Sequence, residues 1–171
     1  MEPICGETQN LKGVKDYFEE TKEGITQMIV GVHHHSIAVT NLDNSIRFYR
    51  DTLGMKLLFT GESKGDELSR GVGVKGASLK LAVLKAGNST IELIQYVTPK
   101  GKPYDRLPCD VGSMHIGFKV SDVHKMFDDL TKKGVKFNTP PNEIKKGPMK
   151  GWIWTYFKDP DGAQLELVEE R

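Results

Sequence analysis

The sequence is short of cysteine, of long apolar runs and of any excess of one charge. Its two cysteines, Cys5 and Cys109, are too few for a disulfide framework and suit a reducing compartment. No stretch approaches the roughly 20 consecutive apolar residues of a membrane-spanning helix. The opening MEPICGETQN has no basic segment leading into an apolar one, so no secretory leader is expected. Lys+Arg number 24 and Asp+Glu 23, a net charge of +1, which gives no electrostatic case for nucleic acid or for an anionic membrane. The expectation that remains is a cytoplasmic domain acting on something small.

What is there fits a folded chain. The 171 residues suit one domain or two small modules. The hydrophobic fraction of 37% and charged fraction of 27% exclude a disordered polymer. Residues 1–32 read as an N-terminal extension, with Leu11, Val14, Phe18, Ile25 and Ile29 spaced as on an amphipathic helix. Then comes a strand over 33–39, a helix over 43–52 capped by Asn41 or Asp43 and stopped at Gly54, and a strand over 56–60. Residues 61–76 read as loop or ragged strand. Two strands follow, 78–85 and 89–97, turned at Ala86-Gly87-Asn88.

After a Pro/Gly-rich linker over 98–111 the pattern returns. A strand over 114–120, a helix over 123–132 behind the cap Asp122, a stop at Gly134, a short strand over 135–137, a proline-rich loop over 138–150 and strands over 152–158 and 164–169 complete the chain. An offset of 81 residues aligns His34 with His115, Val39 with Val120, Asn41 with Asp122, Ile46 with Phe127 and Tyr49 with Leu130. The fold class is therefore α+β: two βαβββ modules, about 33–97 and 114–170, each leaving a sheet face open and pairing into a curved mixed sheet around a cavity.

Strand alternation sorts the polar residues. Ile37 and Val39 mark the core face of the first strand, with His33 and His35 on that side and His34 opposite. Met114, Ile116, Phe118 and Val120 mark it in the second module, with His115 opposite. Glu92 lies between Ile91 and Leu93, and Glu166 between Leu165 and Leu167. Each module thus offers a His from its first strand and a Glu from its last, aimed off the core. Taken singly these are ordinary residues of a solvated strand face. Taken as a repeated set, two imidazoles and two carboxylates suit one divalent ion of Zn, Ni, Co, Mn or Fe. Trp152, Trp154 and Tyr156 share one face of their strand and Ile153, Thr155 and Phe157 the other; either set lines the cavity or the core. Lys145, Lys146 and Lys150 either close over an anionic substrate or are solvated.

The segments HHSIAV, NLDNSIRFYRDTLGMKLL, STIELIQY, MHIGFKVSD and DPDGAQLELVEE resemble the vicinal oxygen chelate superfamily over about residues 33–170. That family holds glyoxalase I, methylmalonyl-CoA epimerase, extradiol dioxygenases and antibiotic-binding proteins. The resemblance implies a metal held by His34, Glu92, His115 and Glu166, with room for two neighbouring oxygens of a small substrate. The implied chemistry is proton abstraction next to a carbonyl, with the metal stabilising the enediolate. Glu166 is then the base and Glu92 serves the opposite face of the carbon. Glyoxalase I has an Asn where Tyr96 stands and an Arg where Ala38 stands, both used for glutathione. An extradiol-type dioxygenase and a non-catalytic binder of small molecules or antibiotics are the competing readings. A homodimer is expected, the cavity forming within one chain or across two.

Overall fold

The computed structural model describes residues 31–171; the helix expected within 1–32 lies outside them. The α+β architecture is present as two modules of the same topology. The first is β1 (His35–Ala38), α1 (Leu42–Arg47), β2 (Lys56–Lys64), α2 (Asp66–Gly71), β3 (Ser78–Ala86) and β4 (Ser89–Thr98). The second is β5 (His115–Lys119), α3 (Val123–Lys132), β6 (Asn142–Glu143), β7 (Ile153–Lys158) and β8 (Gln164–Glu169). Strand orders are β1-β4-β3-β2 and β5-β8-β7-β6. In each, the first and last strands run parallel and the others antiparallel.

The two sheets are separate four-stranded units, with no ladder between them among the described residues. They share one apolar core, from Val39, Leu42, Ile46 and Tyr49 of the first module to Phe157, Leu165 and Leu167 of the second. Helical periodicity supplies the inner faces. Leu42, Ser45, Ile46 and Tyr49 are buried on the first helix. Val123, Met126, Phe127 and Leu130 occupy the same i, i+3, i+4, i+7 stripe on α3, with Val123 and Leu130 fully buried.

The repeat extends to the hydrogen bonds. Asn41 Oδ1 accepts from Asn44 N at 2.9 Å, and Asp122 Oδ1 from Lys125 N at 2.8 Å, so both predicted caps form. Gln95 Oε1 accepts from Leu42 N at 2.8 Å and Glu169 Oε2 from Val123 N at 2.9 Å, each from the last strand of its own module. These two residues sit three positions after Glu92 and Glu166. An odd separation on a strand puts them on the opposite face, where the helices are.

Several local expectations change. The first helix spans the expected residues, but Phe48–Thr52 widens into a π-helical turn as Tyr49 enters the core. The segment 61–76 continues β2 to Lys64 and then coils into α2. Residues 135–137 leave only an isolated bridge, Phe137 to Phe157, and β6 falls inside the expected loop. Met114 is 82% exposed, not core-facing, because β5 begins one residue later. His33 and His35 are exposed as well, the first ahead of β1 and the second at its first residue.

The modules dock where the first helix meets the β7–β8 turn. The buried Tyr49 hydroxyl donates to Asp159 Oδ2 at 3.0 Å. Asp159 also accepts from Asp161 N at 2.9 Å and Ala163 N at 2.8 Å. Asp161 in turn accepts from the Thr40 backbone N–H and hydroxyl. Lys133 at the end of α3 donates to the carbonyls of Asp51 and Thr52.

Burial pushes the Asp159 carboxyl above the usual carboxylate range, against the opposing pull of its three donors. The stability it contributes is full below the ordinary carboxylate pKa and is lost as pH rises through its raised one. Tyr49→Phe removes a donor to the ionised form, moving Asp159 further up. It should lower stability by about 1.5–3 kcal/mol at pH 7 and by clearly less at about pH 3, below the ordinary carboxylate pKa. Urea denaturation of both proteins at the two pH values checks this; equal losses would contradict it.

Candidate active site

Parallel pairing builds each half of the site. Ser36 of β1 lies opposite Glu92 of β4, and Gly117 of β5 lies opposite Glu166 of β8. The histidine two residues before Ser36 or Gly117 shares that face, so the glutamate reaches along the strand to the ring. His34 Nε2 lies 3.7 Å from Glu92 Oε2, and His115 Nε2 lies 3.3 Å from Glu166 Oε2. Ile91, Leu93, Leu165 and Leu167 are buried on the other face. At Gly117 a Cβ would stand 3.3 Å from Glu166 Oε2, so a side chain there would press the carboxylate aside by a few tenths of an ångström.

The halves have the same scaffold but different surroundings. Across the antiparallel ladder Glu92 faces Val83, whereas Glu166 faces Tyr156. The Glu92 side chain is 24% exposed and Glu166 14%. The Tyr156 hydroxyl lies 3.4 Å from His115 Nε2, and the two rings meet edge to face. Burial raises the Glu166 pKa, while the His115 charge and hydrogen bonds from Tyr156 and His115 pull it down. Burial, then the Glu166 charge, raises the Tyr156 phenol. A carboxylate lifted toward neutrality and kept partly dry is a serviceable proton acceptor.

Sequence alternation had left open which aromatic set faces the cavity. Ile153, Thr155 and Phe157 are buried in the core, so Trp152, Trp154 and Tyr156 take the open face. The signal was available in the β7–β8 hairpin, whose register sets Tyr156 beside Glu166. Less legible was the linker. A cleft of about 310 Å³ opens beside His115 and Tyr156, and Tyr104, Arg106 and Met114 from the linker form part of its wall. The lysines of the 138–150 loop do not line it, and Lys145 is paired with Glu143.

The structure thus brings His34 to Glu92 and His115 to Glu166. It does not join the two pairs: among the described residues no cluster of three or more His, Cys, Asp or Glu side chains is placed to hold an ion. Each pair is a half-set of nitrogen and oxygen donors of the kind that divalent transition metals take.

Comparison with known proteins agrees with this architecture. The family model described as the Glyoxalase/Bleomycin resistance protein/Dioxygenase superfamily matches residues 31–167. A 2-epi-5-epi-valiolone epimerase from an Actinomyces species is 33% identical over 144 residues, covering 81% of this chain and 79% of that protein. A probable lactoylglutathione lyase from Synechocystis is 29% identical over 136 residues, covering 80% of this chain and 92% of that one. The crystal structure of a glyoxalase family protein from Bacillus cereus superposes with a TM-score of 0.69 at 24% identity, covering 83% of this chain and 95% of that one.

The Tyr156 contact has a measurable consequence. In metal-free protein, Tyr156→Phe removes a donor that favours ionised Glu166, so the Glu166 pKa should rise further. Carbon NMR of the labelled side-chain carboxyl through a pH titration reads this directly. An unchanged or lower pKa would show that the hydroxyl does not act on Glu166.

Proposed function

Because the chain belongs to the glyoxalase/bleomycin resistance protein/dioxygenase superfamily, we propose that it is a metal-dependent isomerase or lyase that removes a proton from the carbon next to a carbonyl. The observation that carries this reading is the His115–Glu166 pair, in which a mostly enclosed carboxylate with a raised pKa sits 3.3 Å from an imidazole. Similarity to an epimerase and to a lactoylglutathione lyase supports the same class of reaction. In this reading His34, Glu92, His115 and Glu166 hold one divalent ion, drawn from Zn, Ni, Co, Mn or Fe. When bound, that ion supplies Lewis-acid stabilisation of the negative charge developing on the substrate oxygens.

The chain's own residues do the rest. Glu166 takes the proton, with Tyr156 steadying the His115 ring beside it. Glu92, from the other module, returns a proton to the opposite face when the outcome is epimerisation. Return by Glu166 to a neighbouring atom gives isomerisation. The buried strands behind both glutamates fix the two carboxylates against rigid elements.

The two pairs stand apart within one chain, which favours a homodimer: the His34–Glu92 pair of one copy meets the His115–Glu166 pair of another. Each active site is then built from both chains.

Mass spectrometry of untagged protein should find about one divalent ion per chain, as a four-residue N/O set requires. His115→Ala and Glu166→Gln should each reduce it. Proton exchange next to the carbonyl, followed by deuterium uptake from heavy water into a candidate ketone, should fall by about 10²–10⁴-fold in Glu166→Gln. A wild type that takes up no metal after reconstitution, with both variants folded as wild type, overturns the proposal. Sedimentation should show a dimer, and a monomer at micromolar concentration removes the shared site.

A further inference from the structure

The cleft beside His115 has a charge of its own, supplied by residues outside the four candidate ligands. Arg106 from the linker and Lys158 from the end of β7 both line it, and no Asp or Glu does. Among the described residues neither Arg106 nor Lys158 makes an ion pair.

Arg106 is also held. The linker folds on itself from Leu107 to Ser113. Leu107 N donates to Asp110 Oδ2 at 2.7 Å, Ser113 N to Asp110 O at 2.9 Å, and the Ser113 hydroxyl to Leu107 O at 2.9 Å. The Tyr104 hydroxyl closes the turn onto Ser113 Oγ at 3.1 Å. Arg106 Nη1 donates to Val111 O at 3.4 Å and rests over Gly112, where a Cβ would come within 3.3 Å of it. Gly112 has φ +89°, so a side chain is doubly disfavoured at the point where the guanidinium lies. The same cleft is lined by the Lys158 ammonium and the His115 imidazole.

We propose that this cleft binds an oxyanion of the substrate, so that the substrate is an acid: a small molecule with its carbonyl at the His115–Glu166 end and a carboxylate or phosphate at the Arg106–Lys158 end. The substrate assignment rests on the reading of His115 and Glu166 given above. A guanidinium fork and an ammonium together match a multivalent oxyanion. A neutral polyol ketone would cover both cations without compensating them, so the cleft discriminates against uncharged relatives of the substrate.

The test compares matched probes on the EDTA-treated full chain by nitrogen NMR: dihydroxyacetone phosphate, hydroxypyruvate and neutral dihydroxyacetone. Tighter binding of either acid, with shifts at the Gly112 and Tyr156 amides that weaken as salt is added, supports the proposal and names the oxyanion. Arg106→Gln and Lys158→Gln should each weaken that acid about tenfold while leaving metal uptake at the wild-type level. Equal binding of acids and dihydroxyacetone, or variants that bind the acid as wild type does, overturns it. If the chain takes up no metal while the acid preference persists, the reaction fails and the oxyanion cleft stands. Metal uptake without acid preference is the reverse.

Discussion

A buried hydrogen bond, from the Tyr49 hydroxyl to Asp159, lies at the centre of the contact between the two modules. Neither sheet continues into the other, so their mutual placement depends on a shared apolar core, on this contact and on the more exposed Thr40–Asp161 and Lys133 contacts around it. A core alone is non-directional. The Tyr49–Asp159 contact is directional and lies out of water, and an unmet partner there costs more than the bond itself contributes. It also consumes the loop side of both modules, the first helix in one and the β7–β8 turn in the other. The concave faces that carry His34, Glu92, His115 and Glu166 are left free for a ligand or a second copy.

The repeat shows which features belong to the scaffold. Caps at Asn41 and Asp122, acceptors at Gln95 and Glu169, and His–Glu pairs on the open faces all recur in both modules. Tyr49 does not recur: its counterpart in α3 is Leu130, which has no hydroxyl. Docking is therefore asymmetric although the modules are not. The same holds at the site, where Val83 lies across from Glu92 and Tyr156 across from Glu166. Two carboxylates on one scaffold acquire different surroundings through a single cross-strand neighbour, and a division of labour between acid and base needs just such a difference.

Alternation and helical spacing made the two modules, the caps and both His–Glu pairs legible, because each depends on neighbours a few residues apart or on parallel strands whose register the repeat implies. Met114 was misread because strand parity was extended one residue past the point where β5 begins. The separation of the two sheets and the π-helical turn after Arg47 were not legible. Which strand edges pair and how a helix end is wound depend on contacts distant in the chain, such as Tyr49 to Asp159, which no local period records. The linker was read as a spacer from its glycines and prolines. It is an ordered wall instead, because Asp110 and Ser113 satisfy its backbone where no strand does.

Among the described residues that wall stands beside one half-site only: Tyr104, Arg106 and Met114 border the cleft at His115, whereas His34 lies just before β1. Enclosure raises the pKa of a carboxylate and strengthens every charge interaction near it, and Glu166 is the more enclosed of the two glutamates. Enclosure raises the Glu166 pKa, while the Tyr156 hydroxyl across from it acts in the opposite direction. Glu92 is left the more open of the two carboxylates. A site assembled from one half of each kind would have a dry face and a wet face, so a proton taken on one side of a planar carbon and restored on the other would meet unlike groups.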